Sequence, residues 1–221
     1  MYHWNILAQR YQDTETGRFI SRAEVLSFVD ASLAASRSAS DTLVTLLTDG
    51  TLSPLDWREA FREELKREYI REYLSGIGGR EVMTQADWGS IGGMLKEQFM
   101  FLNNFTDEIA LGNLSEGQIR FRAQMYINSA REAHERARSR AAFKLGAEEI
   151  LWVLYPEAEH CDTCQGRADQ GWQPIAENGG FPDPDAPEGG AFPADGTSRC
   201  LTNDQCSTQY RNSATDEVWA G

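Results

Sequence analysis

The chain has 221 residues and a net charge of −13, from 21 basic and 34 acidic side chains. This length is enough to bury a core in one or two domains, and the acidic balance excludes a protein whose whole surface binds nucleic acid or an anionic membrane. No stretch approaches the roughly 20 apolar residues that cross a bilayer. The first residues also lack the cationic start and apolar run of a signal peptide, so we expect reduced cysteines.

Residues 1–20 are predicted to form an N-terminal arm that contains a small hairpin. Tyr11 and Phe19 flank a stretch with Asp13, Thr14 and Gly17, and these three residue types favour turns. An aromatic residue on each side of a turn is typical of two short paired strands.

Residues 21–146 are predicted to form a helical domain. Four segments match a capping box, in which a hydroxyl and a side chain three residues later satisfy free N–H groups at a helix start. They begin at Ser21, Ser53, Thr84 and Ser115. Glycines that can end helices follow at positions 50, 76, 78, 79, 112 and 146. These start and stop signals therefore predict four helices of similar length.

Apolar residues inside these segments repeat at helical spacing. One set is Phe61, Leu65 and Tyr69, and another is Trp88, Leu95, Leu102 and Ile109. Residues four or seven apart share one face of a helix, so both sets are interpreted as core. The fold class is accordingly predicted to be mainly α, with a helical bundle as the body of the protein.

Residues 147–221 are predicted to form a separate C-terminal module, α/β or irregular. Residues 148–156 have the branched and aromatic composition of a strand closed by Pro156, and "CSTQYR" (206–211) indicates a second strand. Residues 177–195 are acidic and rich in Gly and Pro, which predicts a solvated loop or strap. A region so rich in loops is expected to need a cross-link, such as a bound metal ion or a disulfide bond, to hold one shape.

The four cysteines of the chain lie in this module, and they are predicted to hold a structural zinc ion. They form two close pairs, Cys161 with Cys164 and Cys200 with Cys206. Two knuckles that each supply two thiolates are a common tetrahedral zinc site, and metal binding there contributes folding free energy directly. The alternatives are four reduced thiols or two disulfides formed outside the cell.

His160 precedes the first knuckle and offers two further interpretations. It can replace Cys206 as a ligand, or it can pair with Cys161 for catalysis. Catalysis is disfavoured because neighbours in sequence rarely face each other, and a closed site needs all four thiols. The chain also lacks the phosphate-binding, metalloprotease and serine-hydrolase motifs, so we expect no enzymatic activity.

The segment from Ser115 to Gly146 is basic although the chain is acidic. It holds three Glu and seven basic residues: Arg120, Arg122, Arg131, Arg136, Arg138, Arg140 and Lys144. Such a helix can face phosphate or an acidic protein ring. The alternative is a solvated face whose cations pair with acids of the same chain.

Six segments in this order resemble the minor head proteins of tailed phages, in the Mu-type head morphogenesis group. They are "YQDTETGRFIS" (11–21), "TLSPLDWREAFREELK" (51–66), "GGREVMTQADWGSIGGMLKEQFMFLNNF" (78–105), "RAQMYINSAREAHE" (122–135), "HCDTCQGRADQGWQPI" (160–175) and "CLTNDQCSTQYR" (200–211). Similar proteins often carry a further cysteine just before the position of Cys206, where this chain has Asp204 and Gln205.

The resemblance covers almost the whole chain and implies a virion component made in the host cytoplasm. It implies several copies in a symmetric assembly that contact the portal or the major capsid protein, with a role in head assembly or genome delivery and none at a membrane. Packaged DNA is a further expected partner, through Arg131, Arg136, Arg138 and Arg140. The alternative is a zinc-stabilised adaptor or regulator that binds nucleic acid through the basic helix.

Overall fold

The computed structural model describes residues 2–5, 10–13, 15–155, 158–186, 189–201, 206–214 and 217–219. Four long helices form the body: α1 (Arg22–Thr48), α2 (Pro54–Ile77), α3 (Gln85–Ala110) and α4 (Glu116–Lys144). A hairpin of β1 (Tyr2–Asn5) and β2 (Arg10–Asp13) precedes them. The C-terminal module contains α5 (Asp162–Asp169), β3 (Glu149–Val153), β4 (Gln173–Pro174), β5 (Phe181–Pro182), β6 (Gly190–Ala191), β7 (Ser207–Asn212) and β8 (Glu217–Trp219). The mainly helical fold with a small strand-containing module is confirmed.

The four long helices begin where the capping pattern predicts. The hydroxyls of Ser21, Ser53, Thr84 and Ser115 each accept a hydrogen bond from the backbone N–H three residues later. Pro54 occupies the first turn of α2, where its missing N–H removes no bond. At the other end of α2, Gly78 has φ +97°, a left-handed conformation that favours glycine.

The core of the body forms around α2, which packs against the other three helices. Phe61, Leu65 and Tyr69 are completely buried, as their spacing predicts. The Trp57 ring stacks on Phe61 with centroids 4.9 Å apart and meets the edge of Phe105 at 5.7 Å. Burial of these rings stabilises the bundle by about 1.5–3 kcal/mol for each large side chain.

One predicted core position of α3 lies at the surface. Leu95 and Leu102 are buried, but the Trp88 side chain is 39% exposed. Trp88 lies in the first turn of α3, where the neighbouring Asp87 and Ile91 are buried instead. The prediction that Trp88 belongs to the core is therefore wrong.

The N-terminal hairpin packs on the start of α1. After β2 the chain turns back: Asp13 N–H donates to Arg18 O at 2.8 Å and Gln12 pairs with Phe19. Tyr11 of β2 is buried with Ile20 and Val25. Thr14 of the predicted turn lies outside the described residues. The hairpin is thus joined to the body by an apolar contact of its own.

The C-terminal module is built on an antiparallel sheet with the strand order β4-β3-β7-β8. In this sheet Trp152 of β3 lies opposite Thr208 of β7. Trp152, Phe181 and Tyr210 are buried in one apolar cluster, and the Trp152 and Phe181 rings meet edge to face at 5.9 Å. The module therefore has an apolar core, although its strands are short.

The prediction that residues 177–195 form a solvated strap is wrong. Phe181, Ala191 and Phe192 within it are buried, and β5 pairs with β6. The Gly and Pro residues shape the turns, while the two phenylalanines supply apolar surface that is stabilised by burial. The described residues of the strap are consequently a packed part of the module.

Helix α4 joins the body to the module. Ala142, in its last turn, packs in the apolar cluster of the module together with Ala147 and Ile150. The sequence boundary at Gly146 follows the end of the helix, but in packing the last turns of α4 belong to both parts. None of the helices in the described residues combines the length and the apolar character of a bilayer span.

Candidate metal centre

The first cysteine pair lies at the start of helix α5. Cys161 is the N-cap residue and Cys164 lies in the first turn, which is closed by a bond from Gln165 N–H to Cys161 O at 3.0 Å. Free N–H groups at a helix start favour negative charge, so this position suits thiolates. The spacing of three residues thus places both cysteines at the start of one helix.

The third cysteine approaches the pair from a turn at residues 198–201. Leu201 N–H donates to Ser198 O at 2.9 Å, and this turn carries Cys200. The sulfur atoms of Cys161, Cys164 and Cys200 all lie within 4.8 Å of one another. Thiolates around tetrahedral zinc lie about 3.8 Å apart, given Zn–S bonds of about 2.3 Å. These three cysteines are close enough to hold one metal ion.

Cys206 lies next to this group but is not part of it. Its side chain is buried immediately before β7, and its Sγ is 4.0 Å from Nδ1 of His160. The structure therefore unites three of the four predicted ligands and places the fourth beside the alternative ligand. All four cysteines are described, and none of them forms a disulfide bond.

The electrostatics of the centre favour a thiolate at Cys161. Burial raises the pKa of this thiol, but hydrogen bonds from the Cys164 N–H and from the Cys200 and Cys164 side chains outweigh it, and the pKa falls to about 7. Metal ligation requires this deprotonated form. The Cys161 thiol is therefore deprotonated more easily than an ordinary cysteine thiol.

A buried ion pair holds α5 against the strap. Arg167 donates to Asp183 Oδ2 at 2.6 and 2.9 Å and to Thr197 at 3.0 Å, and its guanidinium lies 4.7 Å from the centre of the Trp152 ring. Burial acts against the Asp183 carboxylate, but the bonds from Arg167 hold its pKa below the usual range. Arg167 fixes the orientation of the helix that presents Cys161 and Cys164.

A second buried cluster fastens the module to α4. Arg138 bonds to Glu135 at 3.0 Å and donates to the backbone oxygen of Thr208 at 2.9 Å, while the Thr208 hydroxyl donates to Glu135 at 2.8 Å. Burial acts against the Glu135 carboxylate, but Arg138 lowers its pKa below the usual value. The two parts of the chain therefore share a satisfied polar interface.

The basic residues of α4 have carboxylate partners within the chain. Arg120 and Arg122 pair with Glu116 and Glu108, Arg131 with Asp30, Arg136 with Glu132, Arg138 with Glu135, and Arg140 and Lys144 with Asp87. This is the arrangement that the intramolecular alternative predicts. Arg131 and Arg138 are also buried, so their cations lie away from the surface.

No pattern in the sequence predicted one polar cluster in the body. Ser75 Oγ lies 2.6 Å from His134 Nδ1, and Glu72 Oε2 lies 3.9 Å from the same nitrogen. A proton relay needs the serine and the carboxylate on opposite ring nitrogens. Burial lowers the pKa of His134 to about 3. The cluster therefore lacks the geometry of a hydrolase triad.

Comparison of the chain with protein-family models, with characterised proteins and with solved structures found no match.

Proposed function

We propose that the chain is a structural minor head protein of a tailed bacteriophage, located in the virion and in contact with the portal or the major capsid protein. The observation that carries this proposal is the order of the six segments, which resembles that group over almost the whole chain. The resemblance extends from the N-terminal hairpin to the cysteine-rich module. It therefore concerns the organisation of the complete chain and not one motif.

Exposed apolar side chains on α3 and α4 support a role in assembly. Met100, Phe101, Phe121 and Phe143 are each about half exposed or more. Large apolar groups at a surface often mark protein contacts. The helical body presents these side chains at its surface, and the C-terminal module packs against one end of α4. This arrangement suits a protein that works by contact with its neighbours.

The location is tested by mass spectrometry of purified particles. Phage particles that carry this gene should contain the chain in few copies, and the count should stay constant after banding in a density gradient. The matched control is the same lysate treated identically after deletion of the gene. Absence of the chain from infectious particles would contradict the proposal.

We further propose that the metal is zinc and that the centre is structural. The donor set supports zinc because three thiolates with N or S as the fourth ligand form a usual closed tetrahedral site. Cys206 supplies the fourth ligand in this proposal, and His160 Nδ1, 4.0 Å from its sulfur, is the substitute. A closed site leaves no position for a substrate, which agrees with a role without enzymatic activity.

The fourth ligand is identified by zinc content and thiol titration in two variants. Cys206→Ser should reduce zinc below one per chain, and His160→Ala should leave it at one. The opposite result would assign the ligand to His160. Zinc at one per chain in both single variants but lost in the double variant would show that either residue can serve.

The alternative function, a nucleic-acid adaptor, receives less support from the geometry. Its predicted contacts at Arg136 and Arg140 pair with Glu132 and Asp87 at 2.5 and 2.6 Å. DNA has to displace these carboxylates before it can bind. A DNA-binding assay over a range of salt concentrations tests the alternative, because phosphate contacts make affinity fall steeply with salt.

A further inference from the structure

Two of the three converging cysteines are held together by a single helical turn. Cys161 is the N-cap residue of α5, and Cys164 lies in the first turn. Their sulfur atoms lie within 4.8 Å of each other. The same Cys-X-X-Cys spacing occurs in redox-active dithiols, which alternate between two thiols and one disulfide. The pair therefore has the spacing of a dithiol that can be oxidised.

The two sulfur atoms differ in their access to solvent. Cys161 is partly exposed, whereas Cys164 is completely buried. A small oxidant from solvent therefore reaches Cys161 first, and the Cys164 sulfur is close enough to react with the oxidised atom. Redox-sensitive cysteines commonly have this arrangement, in which an accessible sulfur lies beside a second, resolving cysteine.

The other two cysteines are positioned by distant parts of the module. Cys200 is also partly exposed and close to the pair, but it is carried by the turn at residues 198–201. Its approach therefore depends on the folded module, which the proposed zinc ion stabilises. Cys206 lies outside the group of three, beside His160. Only Cys161 and Cys164 stay close through proximity in the sequence once the centre is disturbed.

We propose that Cys161 and Cys164 form a redox modification site, at which a peroxide converts the two thiolates into a disulfide and thereby releases the zinc ion. The inference rests on the proposed zinc centre. The proposed location supplies the change of surroundings, because a chain made in a reducing cytoplasm meets oxidising conditions outside the cell. The C-terminal module is then held by zinc inside the cell and loosened outside it.

The oxidation is a two-electron reaction in two steps. The Cys161 thiolate attacks one oxygen of hydrogen peroxide, so that an S–O bond forms, the O–O bond breaks and hydroxide leaves. The Cys164 thiolate then attacks the Cys161 sulfur, so that the S–S bond forms, the S–O bond breaks and a second hydroxide leaves. The two sulfur atoms together lose the two electrons that the peroxide gains. Because zinc is bound by thiolates, the centre then keeps only Cys200 of the three close ligands.

The test is stepwise addition of hydrogen peroxide to the zinc-loaded full chain. A colorimetric chelator measures the released zinc, and peptide mass spectrometry maps the disulfides. We expect about one disulfide between Cys161 and Cys164 for each zinc released, because the two thiolates leave the metal together. Cys200 and Cys206 should stay reduced, and a thiol reductant with added zinc should restore the starting zinc content.

Three outcomes would overturn the inference. The first is zinc release without the Cys161–Cys164 disulfide, and the second is a disulfide from either residue to Cys200. The third is full retention of zinc at peroxide concentrations that already oxidise Met100, which is 54% exposed. Retention overturns this inference alone, whereas a chain that binds no zinc from the start contradicts the proposed zinc centre as well.

A matched pair of variants tests the role of the second sulfur. Cys200→Ser should still form the Cys161–Cys164 disulfide, because proximity in the sequence keeps the pair close. Adding Cys164→Ser should carry Cys161 on to the sulfinic acid, so its recovery as a thiol by dithiothreitol should fall about tenfold or more. Equal recovery in the two variants would overturn the inference. Gln165→Ala, exposed in the same helical turn, is the control and should behave as the wild type.

Discussion

The helical body and the C-terminal module are stabilised by different physical means. The body buries whole aromatic rings, such as Trp57, Phe61 and Phe105, between long capped helices. The module has strands of two to six residues, and two of its four cysteines, Cys164 and Cys206, lie within its apolar cluster. One part thus has an extensive core of its own, and the other combines a small core with a centre that can hold a metal ion.

In the loop-rich module, a bound metal ion would help to define one shape. Short strands contribute few ladder bonds, and three convergent thiols lie at the point where α5, the turn at 198–201 and the start of β7 approach one another. A metal ion bound there would join these segments, in addition to the bonds that Arg167 makes to Asp183 and Thr197. Structural zinc sites contribute folding free energy directly, on the order of 10 kcal/mol in small zinc modules.

The largest effect is expected when a ligand of the metal is removed. Cys161→Ser should lower the zinc content and destabilise the module by several kcal/mol, because binding and folding of this part are coupled. The body should keep its helical circular dichroism signal. Limited proteolysis combined with metal analysis measures both effects, and cleavage should begin after residue 146.

The control for this change is Gln165→Ala, an exposed substitution in the same helical turn. It should retain one zinc per chain and resistance to protease. Equal protease resistance of Cys161→Ser and the wild type would show that the module does not need the centre.

The next largest effect is expected in the core of the body. Phe61→Ala removes a completely buried ring and should reduce the free energy of unfolding by about 3–5 kcal/mol. Phe121→Ala, at a position 59% exposed on α4, should change it by less than about 0.5 kcal/mol. Chemical denaturation measures the difference, and zinc content in both variants should stay that of the wild type. Loss of zinc in Phe61→Ala would show that the two parts fold as one unit.

An intermediate effect is expected where the two parts meet. Thr208→Val keeps the shape of the side chain but removes the bonds to Glu135 and Tyr210, and it should cost about 1–3 kcal/mol. Thr208→Ser keeps the hydroxyl and is the control. Hydrogen exchange should rise both in β7 and in the last turns of α4. A rise in β7 alone would mean that the bond to Glu135 does not join the two parts.

The smallest effect concerns pH and Glu72. Because burial raises the pKa of this carboxyl group in the folded chain, the folded state binds a proton that the unfolded chain releases. Its contribution to stability is therefore complete below the unfolded pKa of about 4.3 and is lost as pH rises toward the folded value. Glu72→Gln should remove this dependence, so the stability difference between variant and wild type should grow with pH. A difference that stays constant would contradict the raised pKa.

Much of the body could be predicted from the sequence because its signals are local. Capping side chains fix the helix starts, and spacing of four identifies Phe61, Leu65 and Tyr69 as core. The exposed position of Trp88 was missed because the spacing alone does not show that the start of α3 buries Asp87 and Ile91 instead. The buried Glu72 could not be foreseen because its burial depends on how closely α1, α2 and α4 approach one another.

The module was predicted less well because its contacts are distant in sequence. The spacing of Cys161 and Cys164 revealed one knuckle, and Cys200 joins them as predicted. The composition of the strap suggested solvent, but Phe181 and Phe192 determine its packing. Phe192 packs against Arg136, whose guanidinium lies 4.4 Å from the centre of its ring. Such a contact across more than 50 residues leaves no pattern in the local sequence.

The difference between body and module is tested most directly by hydrogen exchange with and without a zinc chelator. The account predicts that chelation removes protection from residues 147–221, including the strands around Trp152, and leaves α2 and its neighbours protected. The control is the same chelator with zinc added back, which should restore protection. Full protection of the module in metal-free protein, or equal loss of protection in both parts, would contradict the account.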